Sequence, residues 1–147
     1  MEEDADTHVV SAVCDAPVPR VLAHLSTVTG MAQWCLGLMD GLEYTAPGLL
    51  RGCSRFDGGT GWCRPVVDEA EGRVVYWLGA AADDLAPRIQ ARVQPGPAQG
   101  HRADQCVVTL QARRSPGMDD ARWQRLVAAH EVEVLLIQQQ VRRARPG

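Results

Sequence analysis

Residues 119–143 read DDARWQRLVAAHEVEVLLIQQQVRR, and this stretch decides the fold. Its apolar residues Trp123, Leu126, Val127, Val134, Ile137 and Val141 recur at helical spacing, so the segment is expected to be a long amphipathic helix. Asp119 and Asp120 stand in its first turn and Arg142, Arg143 and Arg145 gather at its end, the distribution that the helix dipole favours. His130 interrupts the apolar stripe near its centre, and Glu133 follows one turn later at the edge of the same face. A titratable group stands where only hydrocarbon is expected.

Upstream, the chain reads mainly as strands. The valine-rich segment 8–14 forms a first strand, and Asp15-Ala16-Pro17 opens a helix, with Asp15 as its cap and proline near its first turn. Val18, Val21, Leu22 and Leu25 share one face of that helix; Thr29-Gly30 breaks it before a second short helix over 31–38. Turn-forming clusters then separate six further strands with cores at 42–45, 49–56, 60–68, 73–79, 87–94 and 104–113. A curved antiparallel sheet of about seven strands cannot close on itself, so the C-terminal helix must cover its apolar face, an α+β arrangement.

The hairpin around Asp57-Gly58-Gly59 fixes an expected register. A three-residue loop sets Phe56 opposite Thr60, Ser54 opposite Trp62 and Cys53 opposite Cys63. Alternation then puts Phe56, Ser54, Trp62 and Arg64 on the inner face, and Arg51, Cys53, Arg55 and Cys63 on the outer one. Cys53 and Cys63 become cross-strand neighbours, reduced in a cytosolic setting.

At 147 residues the chain suits a single domain, with 1–6 and 144–147 expected to be disordered. The formal charge is −3 and every cation is arginine. An acidic balance argues against nucleic-acid binding, which normally needs a basic footprint. No apolar run reaches the length of a bilayer span, and 1–6 lacks the features of a signal peptide, so a cytoplasmic protein is expected. Five cysteines without C-x-x-C spacing argue against zinc knuckles and redox dithiols. His130-Glu131-Val132-Glu133-Val134 lacks the second histidine of a zinc-protease motif. Gly58, Gly59 and Gly61 lack the lysine and helix of a phosphate loop, and Ser54 lacks a nucleophile-elbow context. No metal or cofactor is expected.

The order of one strand, two helices, a six-stranded meander and a long C-terminal helix resembles the START-like or SRPBCC superfamily. This is the helix-grip fold of polyketide cyclases, lipid carriers and birch-pollen-type allergens. Val9 to Cys14, Ala16-Pro17, Val21-Leu22-Ala23-His24-Leu25 and Trp34 look like that family's N-terminal region, and the likeness covers nearly the whole chain. The resemblance implies a ligand cavity between sheet and C-terminal helix, lined by Trp62, Trp77 and the stripe around His130.

Such cavities are mostly apolar, with a few polar groups that orient the ligand. The expected contacts are Trp34, Phe56, Trp62 and Trp77 for area, Arg64 for a ligand carboxylate or phenolate, and His130, Val134 and Ile137 from the helix. The first functional expectation is the binding of a small, mainly apolar or aromatic molecule. The second is a polyketide cyclase or dehydratase-like enzyme in which His130 and Glu133 move protons. The third is an interaction module whose cavity is filled by its own side chains. Ala128, Ala129, Val132, Leu135 and Leu136 lie away from the His130 stripe, which points to a homodimer through the outer face of the helix, centred on Val132, Leu135 and Leu136.

Overall fold

A computed structural model describes residues 6–142. The elements run β1 (Thr7–Cys14), α1 (Val18–Ser26), α2 (Val28–Trp34), β2 (Asp40–Ala46), β3 (Leu49–Cys53), β4 (Thr60–Asp68), β5 (Arg73–Gly79), β6 (Ala86–Pro95), β7 (Cys106–Arg113) and α3 (Asp120–Val141). The strands form one curved antiparallel sheet in the order β1-β7-β6-β5-β4-β3-β2, so the first strand returns beside the last. This is an α+β fold whose long C-terminal helix lies in the concavity of the sheet. No helix among the described residues is long and apolar enough to cross a membrane. The ends expected to be disordered fall largely outside the described residues, as do Arg143 and Arg145, although the Asp6 carbonyl accepts a bond from the Arg114 N–H at 2.7 Å.

Period-two alternation sorts the sheet into a wet face and a dry one. On β7, Cys106, Val108, Leu110 and Ala112 are buried, while Ser11 of β1 pairs with Thr109 on the outer face. Across β5 and β6 the inner set continues with Val74, Tyr76, Ala91 and Val93. The C-terminal half of α3 closes over one end of this surface with Val134, Ile137 and Val141. Polar clips hold it down. Gln138 Nε2 donates to the Val13 carbonyl at 2.9 Å, Gln140 Nε2 to the Gln33 carbonyl at 2.9 Å, and Gln140 Oε1 lies 2.7 Å from His24 Nε2. The helix is thus fastened to β1, α1 and α2 at one end, and space remains beneath the other.

Several local expectations are corrected. Asp15 does not cap α1. Pro17 occupies the cap position with no side-chain bond, and Asp15 instead accepts from Gln105 Nε2 at 2.6 Å. The break between the first two helices falls at Thr27, whose hydroxyl accepts from the Gly30 N–H at 3.2 Å, so Thr29-Gly30 lies inside α2. The β3–β4 hairpin has a six-residue loop rather than a three-residue one: Cys53 pairs with Thr60, Arg51 with Trp62 and Leu50 with Cys63. Ser54 begins the loop early because its hydroxyl accepts from the Phe56 N–H and its carbonyl accepts from the Gly58 N–H. The shift of three residues is odd, so it inverts the assigned face of β4. Cys63 is fully buried, Cys53 is no longer its neighbour, and Arg64 turns outward opposite Trp77.

Gly52 on β3 lets the segment between α2 and β2 cross the sheet. A Cβ at this position would stand 1.9 Å from the Leu38 carbonyl oxygen. Gly52→Ala is therefore expected to cost about 1–3 kcal/mol, or more if the crossing segment cannot shift. Urea unfolding checks this; an unchanged midpoint would show that the segment moves freely.

Candidate functional site

Beneath the N-terminal half of α3 lies a cavity of about 810 Å³. Met31 and Trp34 of α2 form one wall, Tyr76, Leu78 and Ile89 of the sheet another, and Leu126, Ala129, His130 and Glu133 of α3 the roof. Burial falls along its length. Trp34, Cys63, Tyr76, His130 and Glu133 at one end are buried, whereas Phe56, Asp57, Asp84, Arg122 and Arg125 at the other are exposed, which makes the second end the mouth.

The closed end is held by interlocking polar bonds. Tyr76 donates its hydroxyl to the Leu25 carbonyl at 2.7 Å, and Trp34 donates its indole N–H to the His24 carbonyl at 3.0 Å. The two rings meet edge to face at 6.0 Å. Glu133 reaches across from α3 and accepts the Leu36 N–H at 2.9 Å. Burial pushes its carboxyl from the usual 4.5 up to about 8, against the opposing pull of that N–H. Burial, with the His8 ring 6.3 Å away, holds His130 down at about 4 against a usual 6.5. His130 Nε2 and Glu133 Oε1 are 3.9 Å apart, a separation too long for a hydrogen bond. At neutral pH the proton therefore resides on Glu133 and the imidazole is uncharged, so the two do not form an ion pair. Nδ1 of His130 is buried and has no hydrogen-bond partner among the described residues. Cys35 and Cys63 also line this end, and burial raises both thiols, Cys63 to about 12.

The expected contacts divide into three groups. Trp34, His130 and Glu133 come together at the closed end, and Glu133 is buried rather than at the edge of the stripe. Phe56 reaches the mouth from the β3–β4 loop, 44% exposed, with the Arg125 guanidinium 5.5 Å from its ring centre. Trp62 contributes to the lining although its register pairs it with outward-facing Arg51. Arg64 and Trp77 do not line the cavity: they are paired on the outer face, and Trp77 is 38% exposed. Val134 and Ile137 lie one turn too far along α3, where the helix touches the sheet, and belong to the core. Sequence reasoning did not select Met31, Tyr76 or Leu78 as lining, and it put Ala129 on the outer face of α3, whereas Ala129 is buried beside His130 in the roof of the cavity. Alternation along β5 marks Tyr76 and Leu78 once the β4 register is known.

No protein-family model matches the chain, and no curated protein matches it in sequence. Solved structures do match. The aromatase/cyclase ZhuI from Streptomyces sp. R1128 superposes with a TM-score of 0.66 at 17% identity, over 95% of each chain. The chain has the helix-grip fold seen in that structure. Two further helix-grip structures span different assemblies. The di-domain ARO/CYC protein BexL from the BE-7585A biosynthetic pathway matches with a TM-score of 0.67 at 17% identity, over 92% of this chain and 46% of that one. The Aha1 dimer from Colwellia psychrerythraea matches with a TM-score of 0.68 at 12% identity, over 95% and 98%. At these identities the likeness establishes the helix-grip architecture, and the role of the cavity rests on its own residues.

Proposed function

We propose that the protein binds a small, mainly apolar or aromatic molecule in the cavity beneath α3, as a cytoplasmic binding protein. The observation that carries this reading is an open space of about 810 Å³, within the range of small-molecule sites, with aromatic and aliphatic walls and an uncharged acid and imidazole at its closed end. Un-ionised Glu133 has a proton to donate, and Nδ1 of His130 lacks a protein partner, so the pair can orient a ligand carbonyl or hydroxyl without burying a charge. Unfilled space of this size argues against an interaction module with a filled cavity. Native mass spectrometry of protein isolated from its own host is expected to detect a co-purifying small molecule. Protein that stays empty and takes up no apolar dye would overturn the reading.

A second reading is favoured by the inverted protonation of the pair. At neutral pH Glu133 is a loaded acid and His130 a free base, the states that proton transfer on an enolisable substrate requires. Structural neighbours described as aromatase/cyclases lend it weight. His130→Ala separates the two. In a carrier it should weaken ligand affinity by about tenfold, the loss of one or two hydrogen bonds. In an enzyme it should abolish turnover and spare affinity.

Self-association through the outer face of α3 belongs to the same proposal. Val132 and Leu135 are 49% and 57% exposed there, Leu136 packs partly against the core, and Ala129 is buried in the roof of the cavity. The Aha1 relative is described as a dimer. Light scattering is expected to show a dimer that Leu135→Glu converts to a monomer, whereas a monomeric wild type would remove the claim.

A further inference from the structure

The cavity changes character between its two ends. The closed end is apolar and uncharged at neutral pH. Toward the mouth the lining carries Arg88, Arg122 and Arg125, with Arg113 at the end of β7, against the two carboxylates of Asp57 and Asp84. The lining is therefore positive in a chain whose formal charge is −3.

The placement of these arginines runs against local preference. Arg122 and Arg125 occupy the first two turns of α3, the positive end of the helix dipole, and stand three residues apart on one side of the helix. The acids beside them are already engaged. Asp119 accepts the Arg122 N–H as the helix cap at 2.8 Å, and Asp120 is paired with Arg114 at 2.7 Å. Asp57 is shared between the Gly59 N–H at 2.9 Å and Arg125 at 3.5 Å. Arg88 is the extra residue of the irregularity between β5 and β6: Tyr76 pairs with Ile89 and Trp77 with Pro87, so Arg88 has no partner opposite and joins the cavity lining. Its guanidinium donates to the Ser115 hydroxyl. None of the close ion pairs among the described residues involves Arg88, Arg113 or Arg122, although Arg122 stands near enough to Asp57 to add to the Gly59 N–H and Arg125 in holding that carboxyl below its usual value.

We infer that the ligand is an amphiphilic anion, with an apolar or aromatic body inside the cavity and an oxyanion such as a carboxylate or sulfonate held at the mouth by Arg88, Arg122 and Arg125. The inference rests on the proposed binding function and specifies its substrate class. Guanidinium groups bind oxyanions through paired hydrogen bonds. An anion at the mouth relieves the repulsion among these cations and remains partly hydrated, whereas the same charge at the closed end would be desolvated beside Glu133.

Two probes with one ring system test it: 1-anilinonaphthalene-8-sulfonate, which is anionic, and N-phenyl-1-naphthylamine, which is neutral. Fluorescence titration at low salt is expected to show the sulfonate bound about tenfold more tightly, with the advantage shrinking as salt rises. Arg122→Gln and Arg88→Gln should each lower sulfonate affinity by about five- to tenfold and leave the neutral probe within about twofold. Unfolding of the ligand-free Arg122→Gln protein should show a denaturant midpoint close to that of wild type, because relief of the cation at the positive end of α3 is offset by loss of its attraction to exposed Asp57. Equal affinity of the two probes, or parallel losses of both in the variants, would overturn the inference and leave the binding reading intact. Failure of both probes to bind would overturn both.

Discussion

Glu133→Gln is expected to stabilise the protein by about 3–4 kcal/mol at pH 8 and to change little at pH 4.5. The folded carboxyl titrates at about 8 and the unfolded one near 4.5, so the native state keeps a proton that the unfolded state releases. A raised carboxyl contributes stability that is fully present below 4.5 and is lost as pH rises toward 8. His130 has the opposite sign. Its folded value of about 4 lies below the unfolded 6.5, so its contribution is present above 6.5 and is lost as pH falls toward 4. The two slopes nearly cancel between 4.5 and 6.5, which leaves Glu133 alone above 6.5. Wild-type stability should therefore fall by about 1–2 kcal/mol from pH 6.5 to 8. His130→Gln should uncover the Glu133 slope across the whole window. The groups facing the pair are Leu36 N–H and Cys35 from the segment after α2, Tyr76 from β5 and His8 from β1, and the Cys35 thiol and Tyr76 hydroxyl are both raised out of this window. Urea unfolding of the three proteins at four pH values checks the account. A wild-type curve that rises between 6.5 and 8 would contradict it.

Ile137→Ala is expected to cost about 2–5 kcal/mol without altering the affinity of either naphthyl probe. Ile137 is fully buried in the core where α3 is clipped to β1, beyond the end of the cavity. Truncation there removes packed methyl groups from a site fastened by Gln138 and Gln140, where collapse is restrained. Ala129→Phe provides the contrast. It adds a ring to the roof of the cavity and should abolish probe binding, whatever its effect on stability. Denaturant midpoints and probe titrations on the same samples separate the two roles. Lost affinity in Ile137→Ala at temperatures where it remains folded would extend the binding site into the core.

The helix-grip architecture was legible because it is written in periodicity. Alternation marked strands, Asp119 marked the start of α3, and the apolar stripe showed which side of α3 faces the sheet. Side-chain faces were less accessible because each depends on a register. Asp57-Gly58-Gly59 reads as a hairpin tip, yet Ser54 starts the loop three residues before it, and that displacement carried Arg64 and Trp77 from the expected interior to the outer surface. The capping hydroxyl of Thr27 was a usable signal for α2. Glu133 was not readable in the same way. Its burial depends on the Leu36 N–H, brought from 97 residues away by a chain crossing that Gly52 permits. Helical periodicity places Val134 and Ile137 on the covered side of α3, but where the helix touches the sheet and where it stands clear is set by Gln138 and Gln140.

Methyl NMR during titration with N-phenyl-1-naphthylamine tests the central claim most directly, because cavity and outer surface carry different reporters. Met31, Leu78, Ile89 and Leu110 line the space beneath α3, whereas Val66 and Val9 are exposed on other surfaces. The account predicts saturable shifts confined to the first group, lost in Ala129→Phe. Shifts at Val66 and Val9 with the cavity methyls unmoved would contradict it.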